Sequence, residues 1–335
     1  MEMTEKRLCN FGFIGLGWIG RNRMEKLLED ADMNCLGIIE PDSENMRYAE
    51  ILAPDAIPCI SINQLFEIPE IDGIVIATPN AFHELHATAA FEAGKAVFCQ
   101  KPLGRNQEEV EKVVAAAKKA NKPLGVDLSY RYTKAFRTVY NRIQQGEIGD
   151  IYAVDMIFHN AYGPDKDWFY DFDKSGGGCV LDLGIHLIDL ALWTLNFPQI
   201  ENLCSNLYKE GKLLETAEAV VEDYASVLMT TDKGTSLNMQ CSWNISAGKD
   251  AEIRVQFYGT KGSLVFRNVN DSFYDFKAEK LVGTQSEILI IPPDDWGGGA
   301  LKAWAEKVAK NEPFDPKTGE EQPLLAEIID RIYDK

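Results

Sequence analysis

The stretch at positions 11–20, F-G-F-I-G-L-G-W-I-G, decides the fold of the amino-terminal part of the chain. It places Gly15, Gly17 and Gly20 in a G-x-G-x-x-G pattern, after an apolar run and before a helical one. Glycines at this spacing permit a tight turn, close approach of the backbone to a pyrophosphate and close packing of a helix on a strand. The amino terminus of the helix offers N–H donors to phosphate groups. We therefore predict a dinucleotide-binding turn, which also contains the predicted cofactor contacts Trp18 and Ile19.

Short apolar runs alternate with helical stretches around this turn, which is typical of a parallel sheet built from βαβ units. The predicted strands are Asn10–Ile14, Cys35–Ile39, Gly73–Ala77, Ala96–Cys99 and Leu124–Asp127. The predicted helices are Ile19–Asp30, Met46–Leu52, Phe82–Glu92 and Gln107–Ala120. The fold class predicted for residues 1–128 is therefore α/β, a doubly wound Rossmann sheet that binds a dinucleotide.

The pattern changes after residue 128. Longer alternating runs follow, and the turn sequences D-K-G and G-T-K-G join two pairs of them into hairpins. The predicted elements are a helix at Lys134–Gln145, strands at Ile151–Phe158, Ala225–Thr231, Thr235–Trp243, Ile253–Tyr258 and Ser263–Phe266, and helices near Gly299–Lys310 and Leu324–Tyr333. We predict a second domain over residues 129–335, an α+β domain with a large, mostly antiparallel open sheet.

One apolar segment of the second domain carries three polar side chains. Residues 180–193 read V-L-D-L-G-I-H-L-I-D-L-A-L-W, and only Asp182, His186 and Asp189 interrupt the apolar run. At about 100° per residue the three side chains would share one stripe of a helix that is buried nearly all round. Polar groups inside such a helix are costly unless they are partnered or needed for chemistry. This stripe is the strongest indication of an active site.

The overall composition excludes several classes of partner. The 335 residues carry a net charge of −18, which argues against nucleic acid and anionic membranes. No run approaches the ~18 apolar residues of a membrane-spanning helix, and the first residues lack the apolar region of a signal peptide. Seven scattered cysteines without CxxC spacing indicate reduced thiols. We therefore expect a cytoplasmic protein without a metal site.

Residues near the predicted strand ends complete the cofactor site. Glu40 ends the second long strand, where an acid can bind the adenosine ribose diol, and this favours NAD, while Arg47 leaves NADP as the alternative. The segments A-T-P-N-A-F-H and C-Q-K-P end two later strands. They lie at the crevice where open α/β sheets bind ligands and contain Thr78, Asn80, His83, Gln100 and Lys101, although spacing alone favours a solvated charge for Lys101. The H-E-L-H run at 83–86 is one residue short of the zinc motif HExxH, so we predict no metal there.

Further motifs follow in order along nearly the whole chain: V-I-A-T-P-N-A-F-H, A-G-K-A-V-F-C-Q-K-P-L, Y-R-Y, S-G-G-G-C-V-L-D-L-G-I-H-L-I-D and F-Y-G-T-K-G-S-L. With the glycine turn they resemble the Gfo/Idh/MocA family of glucose–fructose oxidoreductases and inositol dehydrogenases. The resemblance implies a Rossmann domain and a carboxy-terminal sheet that forms the substrate wall and a homodimer or homotetramer interface. It assigns Lys101 to the family's E-K-P lysine and Asp182 and His186 to its D-x-G-x-H pair. It also assigns Thr78, Asn80 and His83 to the loop beside the cofactor, and Arg131 to a position near the nicotinamide. Gln100 departs from the pattern, because the family has a glutamate there.

These residue types suit the reversible oxidation of a secondary alcohol on a sugar or cyclitol by NAD. His186 is the predicted base, Lys101 stabilises the developing alkoxide, and Asp182 orients the imidazole and binds a neighbouring hydroxyl. Asp189 is predicted to be structural. Further candidate substrate contacts are Tyr132, His159, Tyr162, Asp165, Lys166 and Trp168, each of which also suits a packed loop. Two other functions stay open: a glycosidase that retains its NAD, and a non-catalytic regulator that senses sugar or NAD.

Overall fold

A computed structural model of the chain describes residues 8–216 and 219–333, which divide into two units. The first unit extends to Asp127 and includes Gly297–Pro323; the second comprises Leu128–Trp296 and the residues from Leu324 onward. The strands are β1 Cys9–Ile14, β2 Met33–Ile39, β3 Ile57–Pro58, β4 Gly73–Ile76, β5 Ala96–Cys99, β6 Leu124–Val126, β7 Ile151–Asn160, β8 Ile200–Lys209, β9 Lys212–Leu213, β10 Tyr224–Thr231, β11 Ser236–Ser242, β12 Ala251–Gly259, β13 Gly262–Asn268, β14 Phe276–Val282 and β15 Gln285–Ile290.

The α-helices are α1 Trp18–Leu28, α2 Ser43–Leu52, α3 Ile62–Phe66, α4 His83–Glu92, α5 Gln107–Ala120, α6 Lys134–Gln144, α7 Phe172–Ser175, α8 Ile185–Thr194, α9 Gly299–Ala309 and α10 Pro316–Ile332. A π-helical turn, Val180–Gly184, leads directly into α8. Short 3₁₀ turns lie at Asn80–Phe82, Ser129–Tyr132 and Asp167–Tyr170. The predicted elements of both units are present, and most of their ends lie within two residues of the predictions.

The sheet of the first unit is parallel and has the strand order β3-β2-β1-β4-β5-β6. This order is that of a doubly wound Rossmann sheet, whose direction of winding reverses between β1 and β4. The predicted α/β fold class is confirmed. The sequence analysis missed β3 and α3, because a two-residue strand and a five-residue helix are too short to show periodicity.

The sheet of the second unit has nine strands in the order β15-β14-β13-β12-β7-β11-β10-β8-β9. Among the strands of residues 8–216 and 219–333, β7 pairs with β11 in parallel and the remaining pairs are antiparallel, which confirms the predicted, mostly antiparallel sheet. Four strands were not predicted: β8, β9, β14 and β15. The outermost strand β15 is exposed at most positions and therefore lacks the apolar alternation that burial of one face imposes.

The carboxy-terminal segment corrects two expectations. The sequence analysis included residues 297–323 in the second domain, whereas they pack with the first unit. Trp304 on α9 lies 5.3 Å from the ring of Phe11 and 5.7 Å from that of Phe98, and its indole N–H donates to the Pro123 carbonyl. Helix α10 begins at Pro316 and not at Leu324.

The apolar segment before β8 is a core helix. Within the described residues, Phe172–Thr194 is long and apolar enough to cross a membrane by composition, yet 94% of its most apolar window is buried inside the protein. All seven cysteines lie within the described residues as free thiols, and Cys204 alone among them is exposed.

Candidate active site

The glycine turn has the backbone geometry of a phosphate-binding loop. Gly15 has a φ of +86°, and a Cβ there would lie 2.6 Å from the carbonyl oxygen of Ala77. A Cβ at Gly20 would collide with the carbonyl oxygen of Gly15, whereas one at Gly17 would meet no described atom within 4 Å. Two of the glycines are therefore required by packing, and the third leaves open space beside the amino terminus of α1. These residues fit a dinucleotide pyrophosphate.

Glu40, at the end of β2, holds this turn from one side. Its carboxylate oxygens accept hydrogen bonds from the backbone N–H groups of Leu16 and Asp42, the latter at 2.9 Å. Trp18, the first residue of α1, is 53% exposed although it is large and apolar. The predicted contacts Glu40, Trp18 and Ile19 therefore lie at the turn itself.

His83 joins the two loops that follow β4 and β5. It is buried, and its ring nitrogens lie 2.7 Å from the carbonyl oxygen of Thr78 and 2.6 Å from that of Pro102. Two carbonyl acceptors favour a ring protonated on both nitrogens, while burial lowers the pKa of His83. The ring of His83 therefore bridges the backbone of the loop after β4 and the backbone of the loop after β5. Asn80 is buried in the same turn.

Lys101 follows a residue that a buried ion pair holds in place. The side-chain amide of Gln100 donates to Asp127 Oδ2, and Arg23 Nε lies 2.6 Å from the same oxygen. Arg23 is 1% exposed, and Asp127 Oδ1 is buried with no hydrogen-bond partner among residues 8–216 and 219–333. The Asp127 carboxylate therefore faces the amide that stands where the family has a glutamate. Burial raises the pKa of the Cys99 thiol, and the nearby Asp127 carboxylate raises it further.

The start of the polar helix departs from the predicted geometry. The predicted stripe assumed 100° per residue throughout, but Val180–Gly184 forms a π-turn with wider i→i+5 spacing before α8. Asp182 lies in that turn and His186 in α8, so the assumption of a single α-helical stripe was wrong. The predicted burial is confirmed, since His186 is 7% exposed and its apolar neighbours less than that. π-turns inside helices occur frequently at functional sites.

Side chains from two distant parts of the second unit contact this helix. The indole N–H of Trp243 donates to Asp182 Oδ2 at 3.1 Å, and the ring of Tyr130 lies edge-on to His186 at 4.8 Å. Arg131 Nε donates to Asp189 Oδ2 at 2.8 Å. These contacts orient Asp182, enclose the imidazole and neutralise the buried Asp189, whose predicted structural role they support.

Arg131 is the predicted cofactor contact whose surroundings differ most from expectation. Besides Asp189, its guanidinium lies 5.1 Å from the ring of Trp193 and 5.6 Å from that of Phe197. The neighbouring Tyr132, a predicted substrate contact, lies under the guanidinium of Arg137 at 5.4 Å. Both side chains are partly buried against their own unit.

Glu222 closes the amino-terminal end of the polar segment. Its carboxylate accepts hydrogen bonds from the N–H groups of Gly178 and Val180 and from the Tyr333 hydroxyl, each at 2.8 Å. Burial raises the pKa of Glu222, while these donors act in the opposite direction. Helix starts leave N–H groups without partners, and this carboxylate satisfies two of them.

The aromatic loop, residues 161–171, contacts Trp243 through two of its rings. His159 Nδ1 lies 2.8 Å from the Ser242 hydroxyl, and Trp168 stacks on Phe169 at 3.8 Å, which in turn contacts Trp243 edge-on. Three weaker candidates are more exposed on the loop: Tyr162, Asp165 and Lys166. Among the described residues, no group of three His, Cys, Asp or Glu side chains is placed to hold a metal ion.

Comparison with known protein families finds matches in both parts of the chain. A model described as an oxidoreductase family with an NAD-binding Rossmann fold matches residues 9–128, and the Gfo/Idh/MocA carboxy-terminal domain matches residues 136–265. The chain belongs to the Gfo/Idh/MocA family. Its first unit is thus an NAD-binding Rossmann fold, as predicted.

Several relatives of this Gfo/Idh/MocA protein are named for reactions of sugars and cyclitols. It is 30% identical over 215 residues to 1,5-anhydro-D-fructose reductase of Ensifer adhaerens, a match that covers 62% of this chain and 61% of the relative. It is 25% identical over 266 residues to myo-inositol 2-dehydrogenase of Thermotoga maritima, covering 78% and 76%. The 3-ketoreductase KijD10 of Actinomadura kijaniata, solved with NADP and TDP-benzene, matches the fold with a TM-score of 0.83 at 20% identity, covering 97% of both chains.

Sequence reasoning missed four side chains of the site. Arg23 and Glu222 carry no motif, and Asp127 and Trp243 were each included only as the last residue of a predicted strand. Trp243 is 61 residues from Asp182, and Arg23 is 104 residues from Asp127. No local pattern indicates pairings at such separations.

Proposed function

We propose that the chain transfers hydride between NAD and a secondary hydroxyl or ketone of a sugar or cyclitol. The observation that carries this proposal is the buried His186, enclosed by Tyr130 and preceded by an Asp182 that Trp243 orients. An imidazole titrates near neutrality and suits proton exchange with an alcohol. The relatives named for sugar and inositol oxidoreduction support the reaction class.

His186 is the proposed base that takes the hydroxyl proton, or returns it in reduction. The edge of Tyr130 limits rotation of the imidazole, which keeps the ring in the orientation needed for proton transfer. One oxygen of Asp182 accepts from Trp243, so the carboxylate stays fixed while it binds a neighbouring hydroxyl of the substrate. Lys101 is proposed to donate a hydrogen bond to the reacting oxygen and to stabilise its negative charge.

The residues proposed to hold NAD lie at the carboxyl ends of the parallel strands. The pyrophosphate would meet the open space at Gly17, and Glu40 would bind the adenosine ribose. Bound NAD would accept the hydride from the carbon that carries the hydroxyl. Further proposed cofactor contacts are Thr78, Asn80, Gln100, Lys101 and Arg131. A 2′-phosphate would approach the carboxylate of Glu40, so we propose NAD in preference to NADP.

A panel of sugars and inositols tests the reaction, with NADH absorbance as the readout and NADP in parallel. With the best substrate, His186→Ala and Lys101→Met should each lower kcat by about 1,000-fold, in the range of acid–base and electrostatic catalysis. The Kd for NAD, measured by calorimetry, should stay within about twofold of wild type in His186→Ala. Retained turnover in His186→Ala would contradict the assignment of the base.

We also propose that the chain forms a homodimer or homotetramer through the open face of the nine-stranded sheet and works in the cytoplasm. Leu228 on β10 is exposed between the buried Val227 and Met229, so an apolar side chain lies on the face opposite the core. Light scattering measures the assembly. Leu228→Asp should shift the protein toward the monomer, and an unchanged mass would speak against this face. The free thiols support a reducing compartment.

A further inference from the structure

A run of three glycines precedes the π-turn that carries Asp182, since residues 175–179 read S-G-G-G-C. A Cβ at Gly177 would lie 2.3 Å from the hydroxyl oxygen of Tyr333. A Cβ at Gly178 would lie 1.9 Å from the carbonyl oxygen of Glu222. Neither position therefore has room for a side chain. The close approach of Glu222 and Tyr333 explains the second and third glycines of this run.

Glu222 holds the start of the π-turn through three successive N–H groups. Its carboxylate accepts from Gly178 and Val180, each at 2.8 Å, and its main-chain carbonyl accepts from Cys179 at 3.1 Å. Glu222 is fully buried, so solvent does not compete for these donors. The first residues of the turn are therefore bound to a single residue that lies more than forty positions away along the chain.

The residue after Glu222 connects the same segment to the donor that orients Asp182. The carbonyl oxygen of Asp223 accepts a hydrogen bond from the backbone N–H of Trp243 at 2.8 Å. The indole of Trp243 in turn donates to Asp182 Oδ2 at 3.1 Å. The turn that carries Asp182 and the indole that orients it are therefore attached to two adjacent residues. A displacement of these two residues would change the hydrogen bond between Trp243 and Asp182.

Tyr333 donates the third hydrogen bond that the Glu222 carboxylate accepts. Its hydroxyl oxygen lies 2.8 Å from Glu222 Oε1 and accepts from the Gly178 N–H at 3.2 Å. Tyr333 directly follows α10, whose end is attached to β8 through the Ser205 hydroxyl and the Arg331 guanidinium. Three donors from the protein thus surround a fully buried carboxylate, which suits a positioning role better than that of a second base.

We propose that Glu222 and Tyr333 are positioning residues for the reaction: they hold the π-turn so that Asp182 stays aligned with Trp243 and with the substrate. Both residues act through Asp182, and neither takes part in the transfer of the proton or the hydride. This inference rests on the proposed function, but the hold on the turn can be measured without a substrate.

Hydrogen exchange of the full chain, read by mass spectrometry on a peptide that contains residues 178–182, tests the hold on the turn. Tyr333→Phe keeps the ring beside Gly177 and removes only the hydroxyl, so the variant should fold. The N–H groups of the peptide should exchange about tenfold faster than in wild type, because a hydrogen bond to a charged group contributes about that factor. Glu222→Gln replaces an acceptor of these N–H groups by a donor and should have a similar effect.

Steady-state kinetics with the best sugar or inositol connects this hold to the reaction. Tyr333→Phe should lower kcat about fivefold and leave the KM for NAD within about twofold of wild type, because only the orientation of Asp182 changes. If Tyr333 and Trp243 both act on this orientation, their effects do not multiply. The double variant Tyr333→Phe/Trp243→Phe should therefore have nearly the kcat of Trp243→Phe alone.

The matched control is Tyr258→Phe, which also removes a hydroxyl that donates to a carboxylate, that of Asp155, but between β12 and β7. It should change neither kcat nor the exchange of residues 178–182. Unchanged exchange in both Tyr333→Phe and Glu222→Gln overturns the proposal, as does a wild-type kcat in a variant whose exchange is faster. Multiplied effects in the double variant also overturn it. If exchange is faster as expected but wild type oxidises no sugar in the NADH assay, the hold on the turn stands and the proposed reaction fails.

Discussion

The cofactor loops of the first unit and the polar helix of the second unit are held by different kinds of contact. In the first unit the cofactor loops are held mainly by backbone groups: Gly15 against the Ala77 carbonyl, and His83 between two carbonyl oxygens. In the second unit the polar helix is held by side chains from distant elements, such as Trp243 at Asp182 and Arg131 at Asp189. Backbone groups therefore hold the cofactor loops of the first unit, whereas long-range pairs of side chains hold the polar helix of the second.

This difference has consequences for substitutions. Where the packing depends on the backbone, the addition of a single Cβ is strongly destabilising. The new Cβ collides with a carbonyl oxygen, and a positive φ is strained for any residue that has a Cβ. Where it depends on side-chain pairs, removing one partner leaves the other buried and uncompensated. Mild effects of backbone changes in the first unit, or of removing side-chain partners in the second, would contradict this difference.

The largest effect is expected at the glycine turn. Gly15→Ala should lower the free energy of unfolding by roughly 4 kcal/mol, because a positive φ is strained for alanine and its Cβ meets the Ala77 carbonyl. Gly17→Ala is the matched control, since its Cβ meets no described atom within 4 Å. It should leave stability within about 0.5 kcal/mol and raise the Kd for NAD about tenfold. Denaturant melts and calorimetry measure both; equal destabilisation by the two variants would contradict the backbone argument.

The second prediction compares one buried ion pair in each unit. Asp127→Asn should cost about 3 kcal/mol of unfolding free energy, because Arg23 is 1% exposed and would lose its counter-charge. Asp189→Asn should cost less, about 2 kcal/mol, since the Arg131 side chain is 14% exposed and also stacks on aromatic rings. Urea melts of both variants give the order. If Asp189→Asn is the more harmful change, burial of the arginine is not what decides.

A compensating variant sharpens that prediction. Gln100→Glu alone places a second carboxylate against Asp127, so it should also destabilise the protein. The double variant Gln100→Glu/Asp127→Asn keeps one carboxylate and one amide and should recover at least half of the loss. No recovery in the double variant would mean that the position of the charge, and not its presence, matters to Arg23.

The same difference explains what could be predicted from the sequence. The Rossmann sheet, the glycine turn and the strand-end residues rest on local spacing, and the strand order agrees with the prediction. The burial of the polar helix was also predictable from its apolar neighbours. Its π-turn was not, because the spacing of apolar residues does not distinguish an i→i+5 turn from an α-helical one. The contact of Glu222 with Gly178 and Val180 was not predictable either, because it joins residues more than forty positions apart. The return of α9 to the first unit depends on Trp304 in the same way, through packing on Phe11 and Phe98.

The third prediction concerns the orientation of Asp182. Trp243→Phe removes the indole donor and should lower kcat about tenfold with little change in the KM for NAD. A misoriented Asp182 carboxylate stabilises the transition state less. Trp304→Phe is the matched control, since it also removes an indole hydrogen bond, to Pro123, but from the core of the first unit. It should lower stability and leave kcat unchanged. Steady-state kinetics would refute the role of Trp243 if the two variants reduced kcat equally.

The smallest effect is expected at Glu222, which holds the start of the polar segment. Glu222→Gln should lower the free energy of unfolding by about 1 kcal/mol, because its amide N–H₂ must face a donor, either a backbone N–H or the Tyr333 hydroxyl. Burial raises the pKa of Glu222 above the ordinary value of 4.5, so the folded state binds this proton more tightly than the unfolded state. The resulting stabilisation is complete below about pH 4.5 and is lost as the pH rises through the folded-state pKa. Glutamine has no such proton, so the stability difference between wild type and variant should narrow with rising pH in melts between pH 4 and 8. A difference that widens instead would show that the three donors, and not burial, control the ionisation of this carboxyl group.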